Sequence, residues 1–142
     1  MRRFVIDTDV IIAAMRSPSG ASAALLGAAL EQRLTMLASV PLFFEYEAKC
    51  TDPEHWTSAG LTQGQANIFV NALAELVEPV KIHYLWRPML RDPNDEMVLE
   101  AAVNGAAEAI VTFNLRDFGN APNRFNIDLM MPSIAIRRVR DE

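Results

Sequence analysis

The sequence predicts an α/β fold, a three-layer α/β/α sandwich on a parallel sheet of about five strands. Three observations predict it. Short apolar runs alternate with helical patterns along the whole chain. The helical segments between those runs suit crossover connections, which join parallel strands and cover both faces of a sheet. No internal repeat, low-complexity tract or linker divides the 142 residues, a length that suits one domain over 1–142.

The elements follow in order, all read from the one sequence. Phe4–Ile6 is a short buried strand that ends on Asp7. Val10–Met15 supplies one or two helical turns, and Ser17-Pro18-Ser19-Gly20 a loop. Ala21–Arg33 is rich in Ala and Leu, strong helix formers, with Leu25, Leu26, Ala29 and Leu30 on one side. Leu34–Ala38 is the second strand. Ser39 then stands as N-cap, with Pro41 in the first turn of a helix over Val40–Lys49. Asp52–Gly60 reads as a loop. Thr62-Gln63-Gly64-Gln65 is a capping box that opens a helix to Val77. Val80–Leu85 is the predicted third strand. Asp92 caps, and Pro93 begins, a helix that runs to Asn104 and stops at Gly105. Ala109–Thr112 is the fourth strand, Asn114–Asn126 a loop or short turns, Ile127–Met131 the fifth strand, and Pro132–Val139 a final short helix.

Composition narrows the function. Half of the chain is apolar (51%) and 22% is charged, enough apolar residues for a packed core and against disorder. No apolar run approaches the ~18 residues of a membrane helix. The N-terminus runs from Arg2-Arg3 into Asp7 and is no signal peptide. A single cysteine, Cys50, allows no intrachain disulfide and suits a reducing cytoplasm. The expectation is a cytoplasmic protein with no membrane partner. The net charge of -5 speaks against holding nucleic acid by bulk electrostatics.

Ligands of open α/β sheets bind beyond the carboxyl ends of the strands. Acids follow four successive strands there: Asp7 with Thr8 and Asp9; Glu45 one to two turns into the next helix; Asp92, Asp95 and Glu96; then Thr112, Asn114 and Asp117. Asp7 is the sharpest case. A carboxylate at the end of an apolar strand costs free energy unless it is paired, hydrogen-bonded or metal-bound. Each acid also has a plainer reading. Asp7 or, more readily, Asp9 could cap the first helix, Asp92 caps its helix, and Asp95 would suit the helix dipole. Glu45 could be a surface position, and Asp117 a turn residue. Clustered carboxylates repel, and a hard divalent cation relieves that repulsion. Mg²⁺ or Mn²⁺ fits carboxylate and water ligands, whereas zinc would want His or Cys. His55 and His83 have no ligand spacing, Cys50 no motif, and Gly105 and Gly119 form no phosphate loop.

Taken together, Phe4-Val5-Ile6-Asp7-Thr8-Asp9-Val10, Glu45, the stretch Asp92-Pro93-Asn94-Asp95-Glu96-Met97-Val98-Leu99-Glu100-Ala101-Ala102, and Ile110-Val111-Thr112-Phe113-Asn114-Leu115-Arg116-Asp117-Phe118 resemble the PIN-domain ribonucleases. The likeness is greatest to the VapC-type toxins of bacterial toxin–antitoxin pairs and reaches Met131-Pro132. It implies a PIN-like fold and an endoribonuclease that uses one or two Mg²⁺ or Mn²⁺ ions. It implies Asp7, Glu45, Asp95 and Asp117 as catalytic and metal-binding acids, with Thr8, Asp9, Thr112 and Asn114 as supporting polar residues. It also implies a homodimer and a small antitoxin protein as partner. Two positions depart from the family pattern. Asp9 stands where Asn is frequent, and Asn114 where Asp is frequent.

RNA would need positive groups near the acids. Arg16, Arg87, Arg91 and Arg116 fall near the predicted edge, and Arg137, Arg138 and Arg140 cluster at the C-terminus. Arg116, between two site residues, is the best candidate for a phosphate contact. Trp56, Trp86 and Phe113 could stack on bases, with core packing as the plainer role for the two Trp. Two other readings stand beside the ribonuclease. Asp7-Thr8-Asp9 mimics the start of a haloacid-dehalogenase-like phosphatase with Asp7 as nucleophile, but that chemistry needs a lysine after Thr112, and the only lysines are Lys49 and Lys81. The other is a catalytically weak protein that binds RNA or an antitoxin without cutting. Setting aside Asp7, Glu45, Asp95 and Asp117 changes the charge from -5 to -1. The acidity is thus concentrated in one predicted pocket.

Overall fold

The computed structural model describes residues 1–84 and 89–141. Strands β1 (Arg2–Ile6), β2 (Leu34–Ser39), β3 (Val77–Val80), β4 (Ala109–Val111) and β5 (Asp128–Met130) form one parallel sheet in the order β3-β2-β1-β4-β5. The chain winds outward from β1 through β2 to β3, then crosses back to β4 on the other side of β1. The switch point therefore lies between the carboxyl ends of β1 and β4.

The helices are α1 (Thr8–Arg16), α2 (Ala21–Leu30), α3 (Val40–Cys50), α4 (Pro53–Ser58), α5 (Gln63–Leu76), α6 (Pro93–Asn104), α7 (Leu115–Phe118) and α8 (Pro132–Arg140). Successive residues of a strand point to opposite faces, and Phe4, Val5 and Ile6 are all fully buried, as are Ala109, Ile110 and Val111. Both faces of the central strands are therefore covered, which makes the three layers. Among the described residues no single helix is long and apolar enough to cross a membrane.

Local chemistry explains most boundaries. Ser39 caps α3 by accepting from Leu42 N–H at 3.3 Å, and Thr62 and Gln65 complete the capping box of α5. Gly105 ends α6 against the sheet. A Cβ there would lie 2.9 Å from both Ala101 O and Val80 Cγ2, so only glycine allows this approach.

Four expectations need correction. The first helix begins at Thr8, and its N-cap is Asp7, not Asp9. Asp52–Gly60 is not a loop throughout. Asp52 caps the short helix α4 by accepting from Glu54 N–H at 3.0 Å, and Pro53 occupies its first turn, the same Asp-Pro start that opens α6. The Ala21–Arg33 helix stops at Leu30, because Gln32 turns left-handed with φ of 61°. The third strand is Val77–Val80 rather than Val80–Leu85. Helix α5 ends at Leu76, and Val77 pairs with Met36. Pro79 is tolerated there because β3 is an edge strand. Leu85 lies outside the described residues.

Candidate active site

Asp7 leaves β1 at its carboxyl end and is 8% exposed. Its backbone N–H donates to Val111 O of β4 at 2.9 Å. Its carboxylate is held from two sides. Oδ1 accepts from Thr8 N–H at 2.8 Å, and Oδ2 accepts from the Thr112 hydroxyl at 2.8 Å. Thr112 is fully buried, and its Oγ1 in turn accepts from Asn114 N–H at 3.0 Å. Below Asp7, the buried Tyr46 hydroxyl donates to Ile6 O and ties α3 to the end of β1.

Asp9 continues this network in the first turn of α1. Its Oδ2 accepts from Phe113 N–H at 3.2 Å and from Asn114 Nδ2 at 3.0 Å. Its other oxygen, Oδ1, is buried and accepts no well-aligned hydrogen bond. Asp7 and Asp9 on one side are therefore laced to Thr112, Phe113 and Asn114 on the other, across the switch point.

The electrostatics reflect this crowding. Burial raises the Asp7 pKa, the Thr112 and Thr8 hydrogen bonds pull it down, and Asp92 and Asp117 push it up again. Burial and then the Asp7 charge bring Asp9 up to about 6, against the N–H groups of Phe113 and Val10, with Asp95 adding to the rise. Burial, then Asp7, Asp92 and Asp117, bring Asp95 up to about 6 as well. Acids that resist ionisation first through burial and then through one another form a set short of positive charge.

The structure brings Asp7, Asp9, Asp95 and Asp117 within electrostatic reach of one another, with Thr112 and Asn114 bonded among them. Thr8 contributes its backbone N–H. Glu45 is largely covered on α3 and lies 4.0 Å from the Lys49 ammonium, one turn on. Asp92 does more than cap. It accepts from Asn94 N–H at 2.8 Å and also presses on Asp7 and Asp95. Glu96 does not face the cleft but turns inward, where Oε1 accepts from Met89 and Leu90 N–H.

A cavity of about 680 Å³ opens beside these acids. Asp92, Asp95, Asp117 and Arg116 line it, and so do Arg91 and Arg124. Arg124, on a 3-10 turn (Pro122–Phe125), was not expected near the site. Arg16 does not line the cavity. Trp56 is structural, with its indole N–H donating to Thr51 O at 3.2 Å and its ring packed on the core. Phe113 is 42% exposed next to Asp9. Trp86 and Arg87 lie outside the described residues. The buried Cys50 thiol is pushed up to about 12 by burial, which suits an inert packing role.

The donor set is all carboxylate oxygen, and Asp9 Oδ1 is a buried oxygen in need of a partner, so the residues fit a hard divalent cation. Among the described residues no three His, Cys, Asp or Glu side chains stand close enough to enclose one ion. Two carboxylates with water in the remaining positions would meet the octahedral needs of Mg²⁺.

A parallel sheet with polar groups converging at its switch point defines an α/β protein that takes its ligand beyond the carboxyl strand ends. The profile of the PIN domain family matches residues 3–116, and the chain belongs to that family. Among solved structures it is similar to VapBC2 from Rickettsia felis, determined bound to a DNA fragment from their promoter. The TM-score is 0.61 at 15% identity, covering 89% of this chain and 96% of that one. Comparison with curated proteins finds no match.

Proposed function

We propose that this protein is a metal-dependent endoribonuclease, the toxin component of a toxin–antitoxin pair. The observation that carries the reading is Asp7. It is a carboxylate at the switch point of a PIN-domain sheet, hydrogen-bonded on both oxygens, with its pKa raised by burial and then by the neighbouring acids. Such a site is stable in its ionised form when a cation shares it.

Asp7 and Asp95 are the residues to hold Mg²⁺ or Mn²⁺, with Asp117 beside them and Asp9 offering Oδ1. When bound, the cation supplies a water of lowered pKa and offsets charge developing on the phosphate. Thr112 fixes which way the Asp7 carboxylate faces. Asn114 fixes Asp9 and, through its backbone N–H, Thr112. Arg116 lines the cavity on the side where a phosphate would lie. Glu45 keeps the catalytic and metal-binding role implied by resemblance. The similar VapBC2 assembly supports a small antitoxin as partner. The homodimer and the cytoplasmic location belong to the same reading.

The test is cleavage of an RNA pool by the purified protein. Activity with Mg²⁺ or Mn²⁺ that disappears in EDTA and in Asp7→Asn supports the assignment. Asp7→Asn cleaving as fast as the natural protein would overturn it. A second reading rests on Asn114, a neutral residue that spends its amide on Asp9. It makes the protein a PIN-like binder of RNA or antitoxin, and metal binding without cleavage would select it.

A further inference from the structure

A second cavity, of about 250 Å³, shares no residue with the acidic one. It lies where the starts of α2 and α8 meet α1 and Phe113, the residue between Thr112 and Asn114. It begins beside the acids. Phe113 lines it and donates its backbone N–H to Asp9 Oδ2 at 3.2 Å. Ala13 lines it too, one turn along α1 from Asp9 on the same face, and Ser17 follows at the end of that helix. Pockets for whole small molecules begin at about 300 Å³, so this one suits a single group of a larger ligand held at the acids.

Two features define that group. The first is apolar. Phe113 is 42% exposed although Val111 and Thr112 before it are fully buried, and Ala13, Ala21 and Pro132 extend the apolar wall. An open aromatic ring beside the acids offers a face for stacking. The second is polar and unspent. Gly20 gives α2 no side-chain cap, and Ala24 is the first residue of that helix whose N–H reaches a backbone acceptor, Gly20 O at 3.0 Å. The N–H groups of Ala21, Ser22 and Ala23 have none among the described residues. Ser22 also lines the cavity. It is 6% exposed, and its hydroxyl makes no hydrogen bond among the described residues.

A buried hydroxyl without a partner costs free energy that the polar edge of a ligand recovers. An apolar side chain placed here would leave that cost standing. A planar ring with polar atoms at its edge stacks and bonds at once. No Lys, Arg or His lines the cavity, which sets it apart from a phosphate site.

We infer that this cavity takes one nucleobase of the RNA, splayed out next to the phosphate that the acids engage. Phe113 is its stacking surface, and the Ser22 hydroxyl with the open N–H groups of α2 reads its edge. The inference rests on the ribonuclease reading for its ligand and adds a specificity-determining pocket with Phe113 and Ser22 as its residues.

The experiment measures binding of a short unstructured RNA to the Asp7→Asn protein in Mg²⁺, with one abasic nucleotide placed at each position in turn. At one position the missing base is expected to weaken binding about 10-fold or more, the scale of one base stacked on an aromatic ring. Phe113→Ala should weaken the intact strand by the same factor and make binding indifferent to the abasic position, whereas Phe113→Tyr should preserve both. Ser22→Ala should narrow the spread of affinities among the four bases at that position by about 3- to 10-fold. Leu30→Ala, 73% exposed at the far end of α2, should change neither. The inference is overturned if no abasic position costs affinity in a way that depends on Phe113, or if Ser22→Ala leaves the spread among the bases as it was. The two readings fail separately. Cleavage by the natural protein with no Phe113-dependent abasic position overturns the base pocket alone. Such a position with no cleavage by the natural protein overturns the nuclease alone.

Discussion

The two ends of the sheet treat charge in opposite ways. At the amino edge, charges are paired. Arg2 meets Glu108 at 2.9 Å, Arg138 meets Asp128 at 2.7 Å and Glu108 at 3.7 Å, and Arg3 meets Glu78 at 3.1 Å. At the carboxyl edge, Asp7, Asp9 and Asp95 press on one another, and three arginines nearby stay unpaired. The same residue types thus serve two ends. Self-neutralised charge holds strands and α8 together. Charge left uncompensated, at a cost to the fold, is charge kept for something that arrives.

The contrast is broken most sharply by Asp7→Asn. RNA cleavage should fall by at least about 10²- to 10³-fold, the scale seen when one group that stabilises a transition state is removed. The fold should survive, because an amide keeps the oxygen that accepts from Thr8 and loses an unfavourable charge. Thermal melting alongside the cleavage assay checks both halves.

Thr112→Val comes next. It removes the donor to the buried Asp7 Oδ2 and the acceptor for the part-buried Asn114 N–H. The expected loss is about 1–3 kcal/mol in denaturant unfolding at neutral pH. A variant as stable as the natural protein would show that water replaces the hydroxyl at no cost.

The acids then predict a pH profile. In the unfolded chain an aspartate titrates near 3.8, and in the fold Asp9 and Asp95 titrate near 6. Between those values the folded protein holds protons that the unfolded chain has released, so stability in EDTA falls as pH rises from about 4 to about 6 and stays low above. Mg²⁺ or Mn²⁺ binds only the ionised folded site, so it should raise the melting temperature by several degrees at pH 7 and have no effect at pH 4. A flat melting profile in EDTA would mean that neither burial nor the neighbouring acids hold protons on Asp9 and Asp95.

The smallest effect belongs to the amino edge. Arg138→Gln should cost no more than about 1 kcal/mol, as surface ion pairs do, with no change in cleavage. A loss of activity would break the separation of the two ends.

The sheet and its acidic edge were legible because burial writes itself into sequence. The runs at Phe4–Ile6, Leu34–Ala38 and Ala109–Thr112 are largely apolar, and Asp7, directly after the first, is marked by that run as a buried carboxylate. The edge strand was not legible. Val77–Val80 is half exposed and contains Pro79, so neither alternation nor a continuous apolar run marks it. Helix α4 was hidden by Trp56 and Gly60, though the Asp52-Pro53 start was there to read. Asp92 was explained so fully by capping that its charge on Asp7 and Asp95 went unseen. Arg124 reaches the cleft only because the 3-10 turn folds back after α7, and no periodicity encodes that. Glu45 marks a further limit. Spacing places it on α3, where it lies 4.0 Å from Lys49, but the direction its carboxylate takes is set by side-chain packing, which spacing does not encode.

Pro79 in β3 has a consequence for assembly. Open sheet edges invite another chain to add a strand, which is a common route to aggregation. A chain arriving at β3 meets a residue with no N–H to offer and a neighbouring Glu78 already committed to Arg3. At the opposite edge β5 has only three residues and begins on the charged Asp128. Both edges of the sheet are therefore poor templates for an added strand.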